Sequence, residues 1–423
     1  MKLIDTAIFE FLWSRKKPKI AKNVIENKFE NGGMKMPNIF LKTKAWQLSW
    51  LKRAASNNTS KWVQILNSIL GTLSFTDLLY TDFIKGNHEV AKLPNFYKEI
   101  LDIWVKSIHK NHAKNAVDVQ NQPLWLNSKV TVGKVPILWQ SWYDKGIMFI
   151  GDLLNKQSDF LTTEEINNKY GVKSNFLQIL QIRQAIPLQW RQMLSAATIV
   201  IKGQQLEIFI EHRKEFIILE KMTSQIFYWI LMEAVVKVPC SIQKWENTLP
   251  LQNINWNNIF LNTFKVSNES QMQSFQFKVL HRIIACNNWL YIMKIKDSPD
   301  CLFCKETDDI VHFFATCDRV TDFWRSFENW WIKTSGDIGK LDINTVMFGV
   351  VSNKSNAKVF NYCLISAKMF IYNTKLKCER KKIDFYRFLI FLKEKLLLKK
   401  TNAGLIGKME EFENKFGVVY FYI

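Results

Sequence analysis

The stretch Cys301-Leu302-Phe303-Cys304-Lys305-Glu306-Thr307-Asp308-Asp309-Ile310-Val311-His312-Phe313-Phe314-Ala315-Thr316-Cys317 decides how the rest of the chain reads. Its soft ligands follow the spacing C-x2-C-x7-H-x4-C. Three thiolates and one imidazole make a closed tetrahedral donor set for Zn2+, with no position left for a reacting water. The first pair falls on a tight turn and the second lies where a helical pattern begins. A closed site stabilises a fold and carries no chemistry of its own, so the expected cofactor is a structural zinc. A redox reading of Cys301 and Cys304 fits less well, because Pro299 and Asp300 precede the pair where a redox motif would follow a strand and open a helix. Cys240, Cys286, Cys363 and Cys378 sit among apolar neighbours and read as packed free thiols. The total of seven cysteines is odd, which argues against a disulfide framework and for a reducing compartment.

Working outward, Pro299 is the last of nine prolines, so the chain beyond the first ligands is free to form long helices. Apolar residues from Ile310 and Phe313 through Cys317, Val320, Phe323 and Phe327 to Trp331 recur at steps of three and four. That period predicts one amphipathic helix of about six turns. Asp308 and Asp309 open it, where the helix dipole favours anions, and are not read as a metal-binding carboxylate pair. Upstream, residues 1–13 and 39–51 read as helices, with a turn at Gly32-Gly33 and Pro37 between them. Leu124, Leu126, Val130 and Val132 alternate before Gly133, which predicts a short strand or hairpin. Helical patterns follow at 175–180 and 208–236, and Glu164-Glu165 after Thr162-Thr163 reads as a capping box. The expected fold is mainly α: an elongated, multi-lobed helical assembly with a short β-hairpin region and a small CCHC zinc knuckle. The expected segments are 1–60, basic and helical; 61–240, helical with the hairpin near 123–140; and 241–423, helical and containing the knuckle at 301–317.

Charge narrows the function. The net charge is +20, of which residues 1–60 carry +8 and residues 363–423 carry +7, leaving +5 for the middle. Clustered basic charge attracts polyanions through counterion release. A hydrophobic fraction of 48% with 16 Trp implies substantial cores and excludes a disordered chain. The amino terminus has no apolar run of signal-peptide length, and the most apolar stretch, Ile226 to Met232, is far too short to span a membrane. A soluble protein of the nucleus or cytoplasm is expected, with RNA or DNA as partner and neither a membrane nor a small-molecule substrate.

Three blocks give the chain a resemblance. Phe11-Leu12-Trp13 is followed by a basic loop and by Gly32-Gly33-Met34 with Pro37-Asn38. Next come Trp142-Tyr143-Asp144-Lys145-Gly146-Ile147, Ile150 and Asp152-Leu153-Leu154. Last is the Cys301/Cys304/His312/Cys317 knuckle with Phe323-Trp324. In this order the blocks resemble the carboxy-terminal part of a LINE-type, non-LTR retrotransposon reverse transcriptase polyprotein, from about residue 8 to 400. The resemblance implies a thumb-like basic segment at 1–60, a wrist-like linker domain and a nucleic-acid-gripping carboxy-terminal domain. It also implies that the parent's activity is RNA-directed DNA polymerisation. The family's palm holds metal ions on paired aspartates after an aromatic-Ala; this chain has no such motif, and no endonuclease domain. The chain as given is therefore expected not to be an enzyme. Two alternatives stand beside that reading: a piece of a polymerase whose palm and endonuclease lie upstream of Met1, or a degenerate product without a selected role.

The candidate nucleic-acid contacts are Arg15, Lys16, Lys17, Lys19 and Lys22 in the first loop, and Lys375, Lys377, Arg380, Lys381 and Lys382 near the end of a carboxy-terminal helix. Lysines meet phosphates as point charges and Arg15 can clamp one bidentately. Phe385, Phe388 and Phe391 interleave with basic residues but read as core. His109 and His112 read as a solvated helix face and His212 as surface charge. No GxSxG, P-loop or HExxH pattern occurs.

Overall fold

The computed structural model describes residues 2–71, 73–82, 88–108, 113–196, 209–212, 215–251, 254–335, 341–352, 355–376 and 383–423. It is mainly α-helical, as expected, and its sheets are two-stranded hairpins. Helix α1 (Lys2–Leu12) opens the chain. Contacts group the residues into two compact units, Met1–Asp5 with Asn38–Val235 and Thr6–Pro37 with Val236–Ile423. The three expected segments do not coincide with these units, because residues 6–37 pack with the carboxy-terminal part of the chain.

The first unit contains α2 (Ile39–Ser56), the hairpin β1 (Thr131–Val132) and β2 (Val135–Pro136), α3 (Phe176–Ala185), the hairpin β3 (Phe209–His212) and β4 (Glu215–Ile218), and α4 (Ser224–Glu233), with shorter helices between. Asn38 caps α2 by accepting the Leu41 N–H at 3.0 Å, and Leu41, Ala45, Leu48, Leu51 and Ala54 form its buried stripe. In the first hairpin Val132 pairs with Val135 across Gly133 and Lys134, both at positive φ. That is the two-residue loop whose twist matches antiparallel strands. The alternation seen upstream does not extend the strand. Leu126 has a φ of 51°, and Leu124 and Leu126 bond separately to the carbonyls of Met148 and Ile137.

The sequence reading of one helix over 208–236 is wrong in its first half. β3 and β4 pair antiparallel, Phe209 opposite Ile218 and His212 opposite Glu215, a 3-10 turn follows at Leu219–Lys221, and α-helix begins only at Ser224 behind the Thr223 cap. Alternating aromatic, β-branched and polar residues there fit a pleated strand better than a helix face. The capping box at Thr162 and Glu165 forms as read.

The second unit contains α5 (Trp256–Val266), α6 (Ser270–Leu280), α7 (Asp318–Ser335), α8 (Ser355–Leu376), α9 (Phe385–Leu405) and α10 (Met409–Phe421). Long helices therefore do follow Pro299. Helix α8 lies in the middle of the core: Tyr362, Cys363, Leu364, Ile365, Ala367 and Ile371 are all buried. Phe323 and Phe327 of α7 pack edge-on against Phe388 and Phe360. The amino-terminal residues 6–37 add a smaller cluster in which Ile20, Val24, Ile25 and Met36 meet Phe277 and Ile283. Phe29 stacks on Phe264 with centroids 3.8 Å apart. The turn at Gly32-Gly33 makes this docking possible. Gly32 has a φ of 72°, and a Cβ on Gly33 would stand 2.0 Å from the Asn27 carbonyl oxygen. The Gly32 carbonyl accepts a hydrogen bond from His281 Nε2 at 2.9 Å.

Candidate metal centre and basic cleft

The knuckle is built by a tight antiparallel turn. Cys301 N–H donates to the Glu306 carbonyl at 2.7 Å, Asp308 N–H donates to the Pro299 carbonyl at 2.9 Å, and Lys305 takes a φ of 68° to close the loop. The expected single helix from Asp308 does not form. The chain makes a π-helical turn over His312–Thr316, and Cys317 is extended at φ −65°, ψ 132° before α7 begins. The wide turn and the break let His312 and Cys317 point back at the first pair. Asp309 Oδ1 caps this turn by accepting the His312 N–H at 2.8 Å. Asp308 is buried, accepts the Asn287 N–H at 3.1 Å, and has its pKa raised by burial. Each aspartate thus accepts a backbone N–H.

Cys301, Cys304, His312 and Cys317 bring one ligand atom each to within 4.8 Å of the others, a group that could hold a metal ion. Cys301 Sγ lies 3.9 Å from Cys317 Sγ, and Cys304 Sγ lies 3.2 Å from His312 Nε2. On the far side of the ring, His312 Nδ1 stands 3.3 Å from Glu306 Oε2. A proton held on Nδ1 by that carboxylate leaves the Nε2 lone pair free for a metal. Cys301, His312 and Cys317 are buried while Cys304 keeps partial exposure. Burial pushes the Cys317 thiol up to about 12, with Lys375 acting in the opposite direction, and burial raises Cys304 as well. A metal binding here must therefore displace protons.

The basic residues divide. Lys375 is not a surface contact: it is 7% exposed, and its ammonium donates to the Phe313 carbonyl at 2.8 Å and lies 4.4 Å from the Phe313 ring centroid. The reason is that Lys375 turns inward on α8 toward Phe313, away from the exposed Asn373. Lys377, Arg380, Lys381 and Lys382 lie outside the described residues, as do His109, His112 and Cys378. His212 falls in β3. Cys286 and Cys363 are buried as read, whereas Cys240 is exposed at the start of the helix Cys240–Thr248.

Arg15, Lys16, Lys17 and Lys19 are exposed, as the loop reading requires, and Lys22 is half-buried with its amine 3.7 Å from Glu26 Oε1. Ser14 and Arg15, both at positive φ, reverse the chain after α1. Lys16, Lys17 and Lys19 line a cleft of about 680 Å³ whose lining also includes residues of α6 and α8. Lys278 of α6 adds a fourth cation, and among the described residues no Asp or Glu lines the cleft. Arg15 and Lys22 do not line it. Sequence reasoning missed Lys278 because its neighbours in sequence are unremarkable; only the docking of residues 6–37 brings it to the loop.

Among the described residues no helix is long and apolar enough to cross a membrane. No protein-family model matches the chain, and no curated protein shows significant similarity to it.

Proposed function

We propose that the chain is a non-catalytic nucleic-acid-binding module, stapled by zinc and derived from a LINE-type reverse transcriptase, acting in the nucleus or cytoplasm. The observation that carries this reading is the convergence of Lys16, Lys17, Lys19 and Lys278 on one cleft that no carboxylate among the described residues lines. Cations gathered without counter-charges repel one another, and a phosphate backbone relieves that repulsion while releasing its own counterions. The net charge of +20 adds long-range attraction of the same sign.

Zinc is the metal that suits the knuckle. Three thiolates and an imidazole are its structural donor set, and at a Zn–S distance of about 2.3 Å a tetrahedron places its sulfurs roughly 3.8 Å apart. The 3.9 Å between Cys301 Sγ and Cys317 Sγ matches that edge. Cys301, Cys304, His312 and Cys317 fill all four positions, so the zinc fixes the turn to the start of α7 and takes no part in a reaction.

The test is a titration of the purified, zinc-loaded protein with a fluorescent RNA at several salt concentrations. If the four lysines neutralise phosphates, the affinity falls with salt at a log–log slope of about −3, from roughly 0.7 counterion per contact on a single strand. Absence of binding at low salt would leave the positive charge as a solubility feature and end this reading.

A further inference from the structure

The walls of the basic cleft say more than its charge. Its cations stand on the loop Lys16–Lys19 and on Lys278, whereas its remaining lining is largely apolar: Phe275 and Phe277 from α6, Met369 and Tyr372 from α8, and Trp13 beyond α1. Phosphate recognition alone has no use for such a surface. Its volume of about 680 Å³ lies within the range of sites that enclose a small organic group, about 300–1,000 Å³. A cleft that pairs an apolar, aromatic lining with lysines, and with no carboxylate among the described residues, is complementary to a flat apolar ring carrying anionic groups on either side.

We infer that this cleft takes an unpaired nucleobase of a single-stranded nucleic acid, with the lysines holding the phosphates that flank it. The inference rests on the nucleic-acid reading above and sharpens it to a substrate class. In a duplex each base face is covered by its neighbours and its pairing edge is used, so a duplex offers this cleft only its phosphates. A single strand can turn a base out of the stack and bury it against Met369, Tyr372 and the phenylalanines. Base-on-aromatic contact of this kind tolerates any base, because every base presents a π face. The expected binding is therefore strand-selective and weakly sequence-dependent.

Three oligonucleotides of equal length and charge per strand test it on the intact protein: a normal single strand, the same strand with abasic sites throughout its centre, and the duplex. Oligo-U and oligo-dT versions are both run. The normal strand should bind about tenfold more tightly than the abasic strand, and more tightly than the duplex at matched phosphate concentration. The substitution Ser274→Trp, which fills the cleft, should abolish the difference between normal and abasic strands while leaving salt-dependent binding. Equal affinity for all three oligonucleotides would overturn the inference and leave phosphate binding standing. Binding of none would remove the nucleic-acid reading itself. Competition by free uridine monophosphate at the same concentration as the strand would make the cleft a mononucleotide site and overturn the single-strand assignment. The wild-type comparison needs no variant, so a Ser274→Trp protein that failed to fold would not rescue or spoil the result.

Discussion

The ammonium of Lys375 donates to the carbonyl of Phe313, the residue directly after the ligand His312, at 2.8 Å. The two residues come from α8 and from the π turn, and the contact buries a cation against the candidate metal centre. Three thiolates and a divalent ion leave a buried centre with one net negative charge, which a low-dielectric interior disfavours unless a cation stands near. Lys375 supplies it, and it acts on both Cys317 and Asp308. Lys375→Met keeps the stem and removes the charge. Zinc affinity should fall about 10–100-fold, the usual effect of losing a group that supports metal ligands from outside. Competition with a chromophoric chelator measures it, and an unchanged affinity would sever Lys375 from the centre.

Cys304 is the least buried of the four candidate ligands, so Cys304→Ser costs little packing and reports on metal binding almost alone. Zinc sites of this kind carry an apparent binding free energy of about 10–16 kcal/mol that is also folding free energy. The variant should lose the metal and open residues 281–335 to protease, and a strong chelator should do the same to the wild type. Circular dichroism and protease patterns identical to the wild type in both experiments would remove zinc from the account of this fold.

Why these ligands were legible, and their setting was not, follows from what each signal measures. Spacing alone brought Cys301, Cys304, His312 and Cys317 together, because metal ligands must sit at short, fixed separations. The break at Cys317 was hidden, since the apolar period runs on unbroken from Ile310 to Trp331 and periodicity does not register a change of backbone state at one residue. Lys375 reads from sequence as a surface contact, and Lys368 lies two turns before it on the same helix. Both are buried, because the stretch 359–368 is packed on every side and Lys375 turns in toward Phe313, so a lysine on this helix does not mark a solvent face. The partnership of Lys16, Lys17 and Lys19 with Lys278 spans about 260 positions, and only the packing of Ile25 and Met36 on Phe277 and Ile283 creates it.

The same docking is sensitive to acid through His281. Its ring is buried, bonds the Gly32 carbonyl, and is held down to about 4, from an ordinary 6.5, by desolvation against the smaller opposing effect of that bond. A base whose folded value is depressed binds more protons when unfolded. Its contribution is therefore complete above pH 6.5 and is lost as the pH falls toward 4. At 1.36 kcal/mol per unit the loss is on the order of 3 kcal/mol. Urea unfolding between pH 7.5 and 4.5 should show it, and His281→Gln, which cannot charge, should flatten the curve. A wild-type curve as flat as the variant's would remove His281 as its source.

Gly33 tests the turn by sterics instead of charge. A methyl group there meets the Asn27 carbonyl oxygen at 2.0 Å and the Asn27 Cα at 2.7 Å, both backbone atoms that cannot swing aside. Gly33→Ala must displace the Asn27 segment, which also holds the Lys237 carbonyl through Asn27 Nδ2 at 2.8 Å. A loss of about 2–4 kcal/mol is expected, at the upper end of single-residue effects. Chemical denaturation measures it, and a loss below about 0.5 kcal/mol, the range of neutral surface changes, would contradict the close approach.

Lys368 makes the opposite prediction, a gain. It is fully buried in α8, its amine donates to the Met347 carbonyl at 3.0 Å, and burial lowers its pKa to about 7. The unfolded chain holds that proton up to about pH 10.5, so the native state is penalised most at and below pH 7 and the penalty shrinks as the pH rises. Lys368→Met removes the ammonium without orphaning its acceptor, because Gln276 Nε2 also donates to the Met347 carbonyl, at 3.1 Å. Stability at pH 7 should rise by about 1–4 kcal/mol, as when other buried charges give way to apolar groups of similar volume. The gain should narrow between pH 7 and 10, which thermal melts of the two proteins across that range would show. A variant less stable than the wild type at pH 7 would mean that the ammonium is held by more than the Met347 carbonyl and burial.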